Sequence, residues 1–143
     1  MVTSKRQICL LPPDCFNYSL TSSINSQRQL FINISNYLQK RTELNVFVKY
    51  RNKDHVAQFP TSSEITTHFD GSLEQLMEKS HVVIGPANSM LYVAKKFQKP
   101  FIIFQYGTFD EEIISKESIK KLRYRYKYAD NLNELENIIS EVI

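Results

Sequence analysis

Short apolar runs alternate with longer amphipathic stretches along the whole chain. Four runs of four to six residues are dominated by apolar side chains, as expected of strands that are buried on both faces of a sheet: Gln7–Leu11, Asn45–Tyr50, His81–Ile84 and Phe101–Phe104. A weaker strand is predicted over Glu64–His68, and a last short strand over Arg123–Tyr128. The sequence therefore predicts six short strands.

Apolar residues at helical spacing fill most of the intervals between these runs. Ser72 with Gln75 three residues later is a capping-box pattern, and Arg51–Ser63 is expected to be a long polar loop. Five helices are predicted: Ser26–Arg41, a helix opened by Asp70 or Ser72, Ser89–Phe97, Asp110–Lys121, and a last helix that Asn131 or Asn133 caps and that ends near Val142.

Strands separated by helices of 10–15 residues indicate parallel βαβ units. We therefore expect a single α/β domain over residues 1–143, with a three-layer, Rossmann-like, doubly wound parallel sheet. Ligands of such sheets bind beyond the carboxyl ends of the strands. The segments expected near a ligand are Pro12–Asn25, Arg51–Ser63, Gly85–Ser89 and Gln105–Asp110.

Composition narrows the class of protein further. The chain has 143 residues, and no apolar run approaches the roughly 20 residues that span a bilayer. The apolar run near the N-terminus is too short for a signal peptide. Two unpatterned cysteines, Cys9 and Cys15, suggest reduced thiols. We therefore expect a cytoplasmic protein, with the inner face of the membrane as an alternative location.

Charge is spread unevenly along the chain. Residues 1–60 hold eight Lys/Arg against three Asp/Glu, a net charge of +5, whereas residues 61–143 hold ten against twelve, a net charge of −2. The basic half suits an anionic ligand or an anionic membrane surface. A solvated surface of no special purpose is the alternative.

The loop Gly85–Ser89 is the strongest candidate for a binding site. Glycine lets a ligand approach the backbone closely, while Asn88 and Ser89 offer side-chain donors and acceptors ahead of a helix N-terminus. This combination suits a phosphate, although an ordinary turn capped by Asn88 or Ser89 explains the same residues. The chain contains neither a P-loop nor a GxGxxG dinucleotide motif.

Other candidates come from neighbouring strand ends. Alternation along the second strand places Lys49 and Arg51 on one face, within reach of a phosphate or simply in solvent. Asp14 follows the first strand, where it could act as a base, bind a hydroxyl group or stabilise a turn. Thr108 lies in the loop Gln105–Asp110 and is a further possible contact. His55 and His68 could approach the same edge, whereas His81 belongs to the opposite edge.

No spacing of cysteine or histidine indicates a metal site. The stretch Ile119–Ala129 interleaves cations with tyrosines, a pattern that can bind nucleic acid or a membrane surface. We favour a half-buried strand instead, with Tyr124, Tyr126 and Tyr128 on one face, and expect no nucleic-acid partner.

Residues 5–143 resemble the C-terminal, donor-binding domain of GT-B-fold glycosyltransferases, especially the capsule-polysaccharide and CDP-glycerol glycerophosphotransferase group. Three stretches carry the resemblance: QICLLPPDCF (7–16), LNVFVKYRNKDH (44–55) and HVVIGPANSMLYVAKKFQKPFIIF (81–104). It implies contacts to the donor nucleotide from Lys49, Gly85, Asn88 and Ser89. Two positions depart from the family: Tyr50-Arg51-Asn52 replaces the expected His-Pro, and Val93 stands where an acidic ribose ligand is usual. No catalytic base carries over.

The resemblance implies a nucleotide-activated sugar or alditol donor and no metal or other cofactor. Because GT-B enzymes work between two such domains, it also implies an acceptor-binding domain or subunit and negligible transfer by this chain alone. The alternative is a degenerate transferase-like domain with an interaction or scaffolding role, which Val93 favours. A receiver-like or flavodoxin-like domain is a third option, and the lack of an acidic cluster after the first strand speaks against it.

Overall fold

The computed structural model of the chain describes residues 5–13, 24–50, 52–61, 66–68, 72–86, 90–104, 106 and 116–142. Within them, six strands form one sheet, and every neighbouring pair is parallel. The strands are β1 (Arg6–Leu10), β2 (Leu44–Lys49), β3 (Thr66–His68), β4 (Val82–Gly85), β5 (Phe101–Phe104) and β6 (Lys127–Ala129). Their spatial order is β3-β2-β1-β4-β5-β6, which confirms the predicted doubly wound α/β fold.

Helices cover both faces of the sheet, as three-layer packing requires. They are α1 (Ile24–Lys40), α2 (Lys53–Gln58), α3 (Leu73–Lys79), α4 (Met90–Lys96), α5 (Lys116–Arg125) and α6 (Leu132–Val142). One core lies under α1 and α6 and contains Ile8 and Leu10 of β1. The other lies under α3 and α4 and contains Cys9 and Leu11. Successive residues of β1 thus alternate between the two cores.

Side-chain caps fix where several helices begin. The Ser72 hydroxyl accepts a hydrogen bond from the Gln75 amide, as the capping-box pattern predicts. Asn131 caps α6, because its Oδ1 accepts from the Glu134 amide at 2.9 Å while the Glu134 carboxylate accepts from the Asp130 amide at 2.7 Å. No helix among the described residues is long and apolar enough to cross a membrane.

Two predictions for local structure are wrong. The segment expected to be a long polar loop contains α2, which Asn52 caps by accepting from the His55 amide at 3.0 Å. The stretch Arg123–Tyr128 is not one strand, because α5 runs to Arg125 and β6 begins only at Lys127. Tyr124 therefore lies on a helix with its side chain 92% exposed, and only Tyr126 and Tyr128 pack against the core.

Arg123 lies in the last turn of α5, where the stretch of alternating cations and tyrosines passes from helix to strand. Its guanidinium lies 4.2 Å from the centre of the Tyr128 ring and donates to the Asp130 carboxylate at 2.6 Å. These contacts join the last turn of α5 to β6 and to the residue that follows it. Burial raises the pKa of the Tyr128 phenol to about 12, and the nearby Arg123 charge opposes that rise.

Candidate functional site

The strand order reverses between β1 and β4, and the carboxyl ends of both strands meet there. This is the place at which doubly wound sheets bind their ligands. The two strand ends stay paired beyond the regular sheet, since the Leu11 amide donates to the Ile84 carbonyl at 2.8 Å. Lys49 closes β2 on one side of this point, and Phe104 closes β5 on the other. We call this region the carboxyl edge.

Lys49 and Gly85 lie at the same level of the carboxyl edge. The register pairs Leu10 with Val48 on one side and with Ile84 on the other, so Lys49 and Gly85 flank Leu11. Two strand spacings separate their backbones by roughly 10 Å. The Lys49 side chain is half-exposed, and no carboxylate among the described residues pairs with it. The structure thus places a cation beside the switch point, as the sequence predicts.

Lys49 also acts on the buried Cys9 thiol, which lies on the same side of the sheet. Burial raises the pKa of this thiol to about 12, and the Ser80 hydroxyl and the Lys49 charge oppose that rise. Because the thiolate is the reactive form of cysteine, Cys9 is a core residue and not a nucleophile.

Gly85 has a packing role that the sequence does not reveal. A Cβ atom at this position would lie 2.5 Å from Leu11 Cβ and 3.0 Å from two further atoms of that side chain. Such contacts are too close for any side chain, so only glycine lets Leu11 cross the end of β4. This packing accounts for the glycine without a ligand.

Two buried side chains hold the start of the loop that follows β1. The Tyr106 hydroxyl donates to the Leu11 carbonyl at 2.8 Å, and His55 Nε2 lies 2.9 Å from the Pro13 carbonyl. A carbonyl oxygen can only accept, so Nε2 of His55 carries the hydrogen. These bonds satisfy carbonyls that would otherwise be buried without partners.

Aromatic rings surround this pair of bonds. The His55 ring meets Tyr50 and Phe59 edge-to-face, with ring centres 5.4 and 5.6 Å apart, and Tyr106 meets Phe31 and Phe104 in the same way at 6.0 and 5.3 Å. The Tyr50 hydroxyl donates to the Phe59 carbonyl at the end of α2. Burial raises the pKa of Tyr50 to about 12 and that of Tyr106 well above its usual value. Tyr50, His55 and Tyr106, with the rings packed around them, thus form a buried aromatic wall at this part of the carboxyl edge.

Sequence reasoning did not assign Tyr50, Tyr106 and His55 to this wall. One signal was present in the sequence: His55 and Phe59 are four residues apart after Asn52, which is helical spacing behind a capping residue. Nothing comparable marks Tyr106, because its partner lies 95 residues away.

Five predicted site residues fall outside the described ranges: Asp14, Arg51, Asn88, Ser89 and Thr108. Their roles stay predictions. His81 lies at the amino end of its strand, as expected, and its Nδ1 accepts from the Gln7 amide at 2.7 Å. In the parts of the chain that the structure covers, no group of three or more His, Cys, Asp or Glu residues could hold a metal ion.

The basic N-terminal half is divided between the two edges of the sheet. Lys5 and Arg6 lie at the start of β1, and Lys40 and Arg41 lie at the end of α1, before β2 begins. These four cations are therefore near the amino ends of the strands, which we call the amino edge. Arg28 lies near the other edge, where its Nε donates to the Gln58 carbonyl at 2.7 Å. The excess charge therefore does not converge on one ligand.

Comparisons with known proteins support the fold. No protein-family model matches the chain, and no curated protein matches its sequence significantly. Among solved structures, the chain is similar to Thermosulfurimonas dismutans KpsC, a beta Kdo 2,4 transferase, with a TM-score of 0.58 at 8% sequence identity. The match covers 93% of this chain and 40% of that one, so the chain spans less than half the length of the transferase. The likeness establishes a distant glycosyltransferase-like fold.

Proposed function

We propose that this chain is the donor-nucleotide-binding domain of a glycosyltransferase or glycerophosphotransferase that acts in surface-polysaccharide synthesis. The observation that carries the proposal is the strand order, which places the switch point between β1 and β4 with Lys49 beside it. The similarity of 93% of the chain to KpsC, whose name describes a Kdo transferase, supports the same reading.

In this proposal the donor lies across the carboxyl edge, over the ends of β1 and β4. Lys49 and the loop Gly85–Ser89 contact its phosphates, and Arg51, Asp14 and Thr108 reach it from adjacent loops. Lys49 and the backbone amides stabilise the charge that develops on the leaving phosphate, a contribution that needs no movement during the reaction. The hydrogen bonds of Tyr106 and His55 fix Leu11 and Pro13, just after β1.

The proposal includes a second domain or subunit that binds the acceptor. The chain corresponds to 40% of the KpsC chain, which leaves the larger part of such an enzyme to other residues. We expect this chain alone to bind the nucleotide and to transfer nothing. We also propose a location in the cytoplasm, at the inner face of the membrane, where the domain would be close to the polysaccharide under synthesis.

Calorimetric titration with UDP, CDP and CMP tests this proposal. We expect at least one nucleotide to bind, and Lys49→Gln to weaken that binding about tenfold by removing one charge-assisted contact. Asn88→Ala combined with Ser89→Ala should also weaken binding while the melting temperature stays nearly unchanged. Lys40→Gln is the matched control, because it removes an exposed cation from the end of α1, at the opposite edge of the sheet. Absence of binding by all three nucleotides at millimolar concentration would reject the proposal.

A non-catalytic, degenerate transferase-like domain is the second candidate, and two observations favour it. Val93, at the position where the family usually has an acidic ribose ligand, packs against the core under α3 and α4. Gly85 is explained by its contact with Leu11. This candidate predicts a stable fold in which no nucleotide changes the amide signals of Lys49 and Gly85, and in which Lys49→Gln has no effect on any titration.

A further inference from the structure

A hollow of about 400 Å³ lies at the amino ends of β5 and β6, on the side of the sheet that α4 covers. It is bounded by α4 with the turn that follows it, and by the chain that runs from the end of α5 into β6. Its volume is in the range of small-molecule sites. The hollow belongs to the edge of the sheet opposite the proposed donor site.

The floor of the hollow is apolar. Leu91 and Ala94 of α4 and Phe101 of β5 are buried there, and the half-buried Tyr126 forms a side of it. These side chains also belong to the core on this face, so their positions are fixed by packing. A flat or apolar group entering the hollow would cover surface that is already ordered, which limits the entropic cost of binding.

Four cations line the hollow above this floor: Lys95, Lys99, Arg125 and Lys127. Among the described residues that line it, none is a carboxylate. Lys127 lies 3.6 Å from the Glu141 carboxylate, whereas no ion pair to the other three is found among the described residues. Within the described part of the chain, the positive charge of the hollow is therefore largely uncompensated.

Helix ends explain only part of this charge. Cations in the last turn of a helix interact favourably with its dipole, which accounts for Lys95 of α4 and Arg125 of α5. Lys99 and Lys127 lie outside the helices, one in the turn before β5 and the other at the start of β6. The turn after α4 also satisfies that helix's carbonyls, as the Lys99 amide donates to Ala94 at 2.9 Å and the Gln98 amide to Lys95 at 3.0 Å.

We propose that this hollow is a binding site for a phosphate monoester whose organic part is flat or apolar. The floor matches the organic part, and the three cations without an ion pair among the described residues, Lys95, Lys99 and Arg125, match a phosphate, which carries a charge of about −1.5 to −2 at pH 7. A carboxylate would leave most of the cationic charge unpaired. The site is separate from the carboxyl edge, and the proposal does not depend on the proposed function.

Nuclear magnetic resonance titration with phenyl phosphate tests the site directly. We expect saturable changes in the amide signals of Ala94, Phe101 and Lys127, because these residues line the hollow from three elements. Inorganic phosphate should bind more weakly because it lacks the ring, and phenol more weakly because it lacks the charge. Phenol binding as tightly as phenyl phosphate, or no changes at the hollow, would overturn the proposal.

Paired substitutions separate the hollow from general positive charge. Lys99→Gln combined with Arg125→Gln should weaken phenyl phosphate binding at least about tenfold. Lys120→Gln combined with Lys121→Gln removes the same charge from exposed positions of α5 outside the hollow and should leave the affinity unchanged. Equal weakening by both pairs would show that the attraction is diffuse and would overturn the site.

Two further single variants protect the test against a folding defect. Lys95→Glu changes an exposed side chain and should weaken binding more than Lys95→Gln. An affinity that is unchanged in Lys95→Glu, with the melting temperature also unchanged, would contradict the proposal.

Vesicles distinguish the source of the phosphate. Phenyl phosphate and phosphatidic acid share the monoester group, so vesicles of phosphatidylcholine with phosphatidic acid are compared with phosphatidylcholine alone. Co-sedimentation that phenyl phosphate displaces and the Lys99/Arg125 pair abolishes supports a lipid headgroup. Phenyl phosphate binding without co-sedimentation supports a soluble ester. The absence of both phenyl phosphate binding and co-sedimentation would overturn the site.

Signals at the two edges keep this proposal apart from the proposed function. A nucleotide bound at the carboxyl edge changes the amide signals of Lys49 and Gly85, and Lys49→Gln weakens it. A ligand in the hollow changes those of Ala94 and Phe101 and responds to Lys99 and Arg125. Failure at one edge leaves the result at the other unaffected.

Discussion

At the scale of single residues, the carboxyl edge is defined by polar groups that are buried and satisfied. Tyr106 and His55 supply hydrogen bonds to the Leu11 and Pro13 carbonyls, at the point where β1 gives way to its loop. A buried carbonyl without a partner costs more than the hydrogen bond itself contributes. These two side chains therefore stabilise the loop's starting geometry, whatever ligand the edge binds.

Tyr106→Phe should lower the free energy of unfolding by about 1–3 kcal/mol, because it leaves the Leu11 carbonyl buried without its donor. Urea unfolding followed by circular dichroism measures the change. Tyr124→Phe is the matched control, since that side chain is 92% exposed, and it should leave stability unchanged. Equal stability of the two variants would show that the Tyr106 hydroxyl has no structural role.

Burial of tyrosines predicts a loss of stability at high pH. Burial raises the pKa of Tyr50 and Tyr128 to about 12 and that of Tyr106 well above its usual value of 10.0. The folded state thus favours the protonated phenols, and their contribution is complete below pH 10 and is lost as the pH rises toward 12. Ultraviolet titration should show these three of the eight tyrosines ionising late and together with unfolding. Ionisation of all eight near pH 10 in a folded protein would contradict this.

Gly85→Ala should destabilise the fold by about 1–3 kcal/mol through overpacking against Leu11. Thermal unfolding of the single variants and of the double variant with Leu11→Gly measures the coupling between the two positions. Leu11→Gly removes the atoms that clash, so the cost of the alanine should be smaller in that background. The same cost in both backgrounds would mean that the contact with Leu11 is not the reason for the glycine.

At the scale of elements, the helices and strands with a strong hydrophobic pattern were predictable from sequence, whereas the short polar helix α2 was not. The runs that became β1, β2, β4 and β5 are nearly continuous apolar segments. In contrast, α2 has six residues, KDHVAQ, whose buried contacts come from His55 and Val56. A histidine among polar neighbours carries little periodic signal, so tertiary burial decided this helix.

The end of α4 offers a test of element boundaries. Gln98 has a positive φ of 56°, and its turn forms the two hydrogen bonds typical of a Schellman ending. Gln98→Gly should therefore raise the free energy of unfolding by about 0.5–1 kcal/mol, because glycine adopts this conformation without steric cost. Lys96→Gly, at the last residue of the helix, should lower it by up to about 1 kcal/mol. Destabilisation by both changes, measured by urea unfolding, would contradict the assigned helix end.

At the scale of the whole molecule, the sequence predicted the layers but not which residues meet. Four of the five pairings in the order β3-β2-β1-β4-β5-β6 join consecutive strands, but the pairing of β1 with β4 at the switch point skips two strands, and local patterns do not encode it. Lys49 could be assigned to the carboxyl edge because its strand direction was predictable. The cationic hollow could not, because residues 91–101 and 125–127 meet there only through the fold.

The two edges of the sheet also differ in chemistry. The carboxyl edge joins a buried aromatic wall to Lys49, whereas the amino edge holds cations from the ends of helices and the starts of strands. Helices run antiparallel to the strands, so cations in the last turns of α1, α3 and α4 reach the amino edge together. The location of a bound nucleotide therefore distinguishes a transferase-like site from simple attraction to positive charge.

The most direct test is to map the amide signals that change when CDP or UDP is added to the isotope-labelled chain. We expect saturable changes at Lys49 of β2 and at Ile84 and Gly85 of β4, beside the switch point, and loss of these changes in Lys49→Gln. Changes confined to the hollow beside Phe101, or no changes at all with either nucleotide at millimolar concentration, would contradict a donor site at the carboxyl edge.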